Sequence, residues 1–185
     1  MTKKIFPISV LCTEEFTSYL NLPYVFPWSK EMDVYNFNNS TPVITHAPCA
    51  QWSKMKRFAN CNMKEKDLAF FCYEKVMENG GIFEHPAGSA FFKYIGKEKE
   101  VVSLNQHWFG FPSQKKTYLY FNKCKPGQMS INFNAVEKTT LQLSHSERSR
   151  TTLAFASWLT SCIWDSPILQ DNFNNDFTGN NNIYF

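Results

Sequence analysis

Two short stretches hold the residue types best suited to chemistry. One is His46-Ala47-Pro48-Cys49 leading to Trp52, and the other is Glu84-His85-Pro86. As a thiolate, Cys49 is a nucleophile, and the carboxyl of Glu84 can do acid–base work. Cys49 follows a proline at a break in the chain, and a thiol placed there beside a helix N-terminus has its pKa lowered. A buried, inert thiol is the competing reading. Glu84 leaves the apolar run Gly80-Gly81-Ile82-Phe83, where a buried carboxylate needs a ligand or partner. Backbone N–H groups are the structural alternative for that role.

Other reactive types are weaker signals. His46, Cys49, His85 and His107 are zinc-ligand types, but no second paired motif completes a set of four, so we expect no metal. A zinc deaminase requires a Pro-Cys-x-x-Cys run, and Trp52 stands where its second cysteine belongs. Lys54, Lys56 and Arg57 alternate with Trp52 and Phe58, a pattern that suits phosphate contacts and base stacking. Taken alone it better suits a solvated helix face, and Lys115-Lys116 form a second such pair. The expected substrate-contacting set is His46, Trp52, Arg57, His85, Gln106 and Lys115, around Cys49 and Glu84.

The elements that must position these residues follow from pattern. Ile5 to Leu11 reads as a strand, and Thr13 with Glu14 and Glu15 as a helix cap with acids in the first turn. Asn21 to Ser40, with Pro23 and Pro27, reads mostly as loop. Pro42 to Thr45 is a short buried strand. Asn62 and Glu65 have the form of a capping box, Leu68, Phe71, Cys72 and Val76 recur at helical spacing, and Gly80-Gly81 stops the helix. Ile82-Phe83 is the next strand, so strand, loop, helix and strand make a βαβ unit with parallel strands. Further strands are expected over Glu100 to Gln106 and Thr117 to Asn122. A last helix runs from about Glu147 to Ile163, capped by Ser144 and Glu147, with Leu153, Ala156, Leu159 and Ile163 as its buried stripe. The expectation is one Rossmann-like α/β domain over 1–169, a mostly parallel sheet flanked by helices. An Asn-rich extension over 170–185 follows it. In such sheets ligands sit outside the carboxyl ends of the strands, where both motifs fall.

Composition agrees with one globular domain. The chain has 185 residues, of which 43% are hydrophobic and 17% aromatic, with Phe alone numbering 18. That is enough for a phenylalanine-heavy core with rings to spare for a binding cleft. The net charge of +3 permits nucleic-acid binding without demanding it. Six cysteines include no Cys-x-x-Cys pair, and no apolar run has the length of a membrane span. The N-terminus carries no signal-peptide pattern. A cytoplasmic protein with reduced thiols is expected, without membrane partners.

The order Pro48-Cys49, Glu84-His85-Pro86 and Gly110-Phe111-Pro112-Ser113-Gln114-Lys115 resembles the catalytic half of DNA cytosine-5 methyltransferases. That family has a Pro-Cys nucleophile loop, a Glu-Asn-Val turn and a Gly-Val-Pro-Gln segment followed by spaced arginines. More closely, PVITHAPCAQWSKMKRFA, GGIFEHPAGSAFF, NQHWFGFPSQKKTYLYF and SERSRTTLAFASWL are similar to small phage and prophage proteins described as methyltransferase-like. The resemblance implies that Cys49 adds to C6 of a cytosine ring and that Glu84 hydrogen-bonds the ring edge and assists protonation at N3. It places Lys115 at the first arginine of the third motif, with Thr117 at the second. Duplex DNA as substrate would require base flipping. The cofactor implied is S-adenosylmethionine, bound in that family by a Gly-rich loop after the first strand. Here the first glycine is Gly80, His85 replaces the family's Asn, and no target-recognition domain is present. Tight S-adenosylmethionine binding is therefore not expected. Two functions follow: a pyrimidine-modifying enzyme working through Cys49 and Glu84, or an inactive relative that binds nucleic acid or a host protein to counter a host defence.

Overall fold

The computed structural model describes residues 4–15, 17–29, 32–53, 63–131 and 135–179. Six strands form one sheet: β1 (Ile8–Thr13), β2 (Val25–Ser29), β3 (Val43–His46), β4 (Gly81–Pro86), β5 (Val102–Asn105) and β6 (Lys116–Asn122). Their order across the sheet is β2-β1-β3-β4-β6-β5. β1 pairs in parallel with β2 and β3, and β3 with β4, while β6 pairs antiparallel with both β4 and β5. β6 thus runs alone against the rest, and the molecule is mixed α/β.

The expected βαβ unit is present as β3, α1 (Met63–Asn79) and β4. Gly80 and Gly81 end the helix with backbone that glycine alone adopts easily. At Gly81, φ is +129° and a Cβ would fall 1.9 Å from the Val43 carbonyl oxygen. Both sheet faces are covered. On one, Val10, Ile44, Ile82, Leu104 and Leu119 pack with Phe155, Leu159 and Ile163 of α4 (Leu153–Trp164). On the other, Leu11, Val43, Phe83 and Tyr120 pack against Ala69, Cys72 and Val76 of α1 and the phenylalanines of α2 (Phe91–Tyr94). Strands buried on both sides read as near-continuous apolar runs, as Val43-Ile44 and Ile82-Phe83 do in β3 and β4.

Several expectations change. Among the described residues no helix follows Thr13; the chain makes a short 3₁₀ turn at Ser18–Asn21 that drives Tyr19 into the core. The supposed loop over 21–40 contains β2. This strand lies at the sheet edge, where Pro27 is tolerated because its missing N–H is needed by no neighbour. The helix expected over 147–163 is two, α3 (His145–Ser149) and α4. Thr152 caps the Phe155 N–H and stops the first from continuing into the second. Leu153 is consequently 47% exposed and leaves the buried stripe. The capping box of Ser144 and Glu147 forms as expected. The boundary at 170 falls inside α5 (Pro167–Gly179), which is tied to the chain start by a Phe6–Phe173 stack at 5.2 Å and by Gln170 donating to the Lys4 carbonyl. Among the described residues, no helix is long and apolar enough to cross a membrane.

Candidate functional site

The chain leaves β1 for β2 on one side, then returns to place β3 on the other. At such a switch point the connections diverge and open a crevice outside the carboxyl ends of the strands. A cleft of about 740 Å³ lies there. Cys12 and Thr13 line it from the end of β1, His46 to Cys49 from the end of β3, and Glu84 and Pro86 from β4. Lys115, just before β6, closes one side. Four of the residues picked out in the sequence, His46, Cys49, Glu84 and Lys115, share this cleft.

Glu84 lies on the same sheet face as Ile82, opposite His46 in the β3–β4 register. It is 6% exposed and held on all sides. His46 Nδ1 lies 3.1 Å from Oε2, Gln106 Nε2 donates to Oε1 at 3.4 Å, and the Thr117 hydroxyl donates to the same Oε1. His46 Nε2 is in turn 3.0 Å from the Tyr19 hydroxyl. Burial alone would raise the carboxyl pKa. The His46 hydrogen bond and charge, the Lys115 ammonium and the Thr117 hydroxyl outweigh it and bring the value to about 2. Glu84 is an anion at neutral pH, not a proton donor.

Cys49 differs from its expectation. The helix it caps is a three-residue 3₁₀ turn, Ala50–Trp52, too short for a useful dipole. Burial and the Glu84 charge push its thiol above the ordinary value, with Lys115 opposing them in part. Burial presses the Lys115 ammonium down, and Glu84 and Cys49 hold it up.

His85 and Trp52 are not in the cleft. Strand alternation sends His85 to the opposite face, fully buried against Phe83, Phe91 and Phe92. Burial lowers its pKa, so the ring is neutral. Its Nε2 donates to the Pro48 carbonyl at 3.2 Å and its Nδ1 accepts from Ser89 Oγ at 2.8 Å. Trp52 is buried edge-on against Phe70, Phe91 and Tyr94, so it cannot stack a base. Both are positioning residues: they clamp the Cys49 loop at Pro48 and at Trp52. Gln106, also buried, acts on Glu84 without facing the cleft. Arg57, with Lys54 and Lys56, lies outside the described residues.

Sequence reasoning missed Tyr19, whose isolated aromatic carried no signal. It missed Thr13, whose buried hydroxyl has no hydrogen-bond partner among the described residues, and Asp33 and Tyr35 beyond β2, which also line the cleft. It also left Arg148 and Arg150 unused, although they lie in the stretch SERSRTTLAFASWL. Among the described residues no three His, Cys, Asp or Glu side chains are grouped to hold a metal ion. No family model matches the chain, and no curated protein matches it.

Proposed function

We propose that the cleft binds a nucleobase and that the protein acts on a pyrimidine ring through Cys49 and Glu84. The observation that carries this is their convergence: a thiol and a rigidly held carboxylate line one cleft at the strand ends. A carboxylate has about four lone-pair directions. Three contacts occupy Glu84 here, which leaves capacity to accept from the amino edge of a cytosine and to stabilise a positive charge gathering at N3. Glu84 therefore works as an anionic acceptor. The Cys49 sulfur, once deprotonated, adds to C6, and the ring takes a proton at C5. Loss of the C5 proton and expulsion of the thiolate restore the ring.

The resemblance to cytosine-5 methyltransferases implies S-adenosylmethionine, which would supply a methyl group to C5. The cleft lining offers residue types that fit such a group: the Thr13 hydroxyl, without a partner among the described residues, the carboxylates of Glu14 and Asp33, and apolar contact from Met32 and Leu68. No glycine stands there to let the backbone approach closely, so these residues would hold it loosely.

A second reading is an inactive binding protein, for nucleic acid or for a host protein in counter-defence. The raised pKa of Cys49 favours it, because little thiolate is present at neutral pH. Exchange of the C5 hydrogen of deoxycytidine monophosphate, or of a cytosine-containing oligonucleotide, with deuterium oxide separates the two and needs no methyl donor. Exchange with the native protein and none with Cys49→Ser supports the enzyme. Absence of exchange across pH 7 to about 9.5, with binding retained, supports the second reading.

A further inference from the structure

Three cationic side chains line the cleft. Arg148 lies in the last turn of α3 and Arg150 caps it, and the residues from Arg148 to Thr151 line the same cleft as Lys115. The Arg150–Thr152 link between α3 and α4 is fixed rather than loose. Lys115 Nζ donates to the Arg150 carbonyl at 3.3 Å, Ser18 Oγ to the Thr151 carbonyl at 2.8 Å, and Thr152 Oγ1 to the Phe109 carbonyl at 2.7 Å. Among the described residues, none of Lys115, Arg148 and Arg150 forms an ion pair with a carboxylate. The twelve-residue α4 starts directly after this link, which adds the positive end of its dipole. The acids Glu14, Asp33 and Glu65 also line the cleft, and Glu65 as well as Lys115 acts on the Cys49 thiol. Lys115 joins the cations to the chemistry, since its ammonium feels both Glu84 and Cys49.

We propose that Lys115, Arg148 and Arg150 form a phosphate-binding mouth that holds a nucleotide by its phosphate while the base reaches Cys49 and Glu84. The proposal rests on the nucleobase reading of the cleft and adds that the substrate is phosphorylated. Two arginines offer planar, bidentate donors suited to phosphate oxygens, and a fixed main chain lowers the entropy lost when they engage. The phosphate belongs either to a free nucleotide or to a DNA strand.

The test is calorimetry with four probes: deoxycytidine, deoxycytidine monophosphate, deoxyadenosine monophosphate and a short single strand centred on one cytosine. Each is titrated into the native protein and into the doubly substituted Arg148→Ala/Arg150→Ala protein. The arginines are exposed, so this variant is expected to fold, with circular dichroism as the check. The expected result is deoxycytidine monophosphate binding at least about tenfold tighter than deoxycytidine, the difference disappearing in the double variant. Arg148→Lys/Arg150→Lys should restore part of it. A strand that binds far tighter than the monophosphate, with a steep salt dependence, assigns the phosphate to DNA; equal affinities assign it to the free nucleotide. Equal, arginine-dependent binding of the two monophosphates keeps the mouth and removes the pyrimidine reading. Equal affinity for deoxycytidine and its monophosphate, a double variant that keeps the difference, or no binding by any phosphate-bearing probe overturns the proposal.

Discussion

Glu84 keeps its charge in a place where burial alone would remove it, and that fixes its behaviour with pH. Its folded pKa, about 2, lies below the ordinary 4.5. A depressed carboxyl pKa contributes stability above the unfolded value, and the contribution is lost as pH falls through the folded one. The shift corresponds to ~3 kcal/mol, present at neutral pH and lost between about pH 4.5 and about pH 2. Glu84→Gln should therefore lower the neutral-pH melting temperature and flatten its fall over that window. A variant whose melting curve keeps the native pH dependence there would show that another group carries it. Cys49 behaves differently, because it is half-buried in a loop and touches little core. Cys49→Ser should change stability by no more than about 0.5 kcal/mol in urea unfolding. With its thiol pKa raised, alkylation of Cys49 followed by peptide mapping should still accelerate as pH passes 9.0. A rate already flat at pH 7 would mean an activated thiol and would strengthen the enzyme reading.

At the scale of the elements, β3, α1 and β4 depend on the Gly80-Gly81 stop. Gly81→Ala should cost on the order of 3 kcal/mol or prevent folding, since the added carbon meets the Val43 carbonyl of the paired strand. Gly88 also has a positive φ, +87°, but open space around it, so Gly88→Ala should cost only about 1 kcal/mol. Denaturant midpoints for the two variants check the contrast. This βαβ unit was legible in the sequence because its apolar spacing, glycine stop and short strands all agree. β2 was not, because Pro27 breaks the alternation and edge pairing tolerates that break. The α3–α4 division was hidden as well: Thr152 is as compatible with a helix interior as with a cap until its hydroxyl finds the Phe155 N–H. Within the site, Cys49, Glu84 and His46 could be found from residue type and position. The face of His85 could not be read without the strand register. The burial of Trp52 depended on Phe70, Phe91 and Tyr94, which are distant from it in the sequence.

For the whole molecule, the cleft is what an S-adenosylmethionine-dependent enzyme would have to use, and its lining sets an expectation. Calorimetry should give a dissociation constant weaker than micromolar for S-adenosylmethionine, because no glycine precedes Gly80. A micromolar or tighter value would show that a lining without glycine suffices on its own. The cleft also draws its walls from separate parts of the chain, from Cys12 near the start to Thr151 near the last helices. No segment carries it alone, and the strand ends that frame it meet only after distant stretches have been brought together. Such non-local closure is slow in folding, because loop entropy is lost before the contacts that reward it can form. In refolding, then, the capacity to bind should return only with the final cooperative phase, after much of the helical signal of α1 and α4 has already recovered.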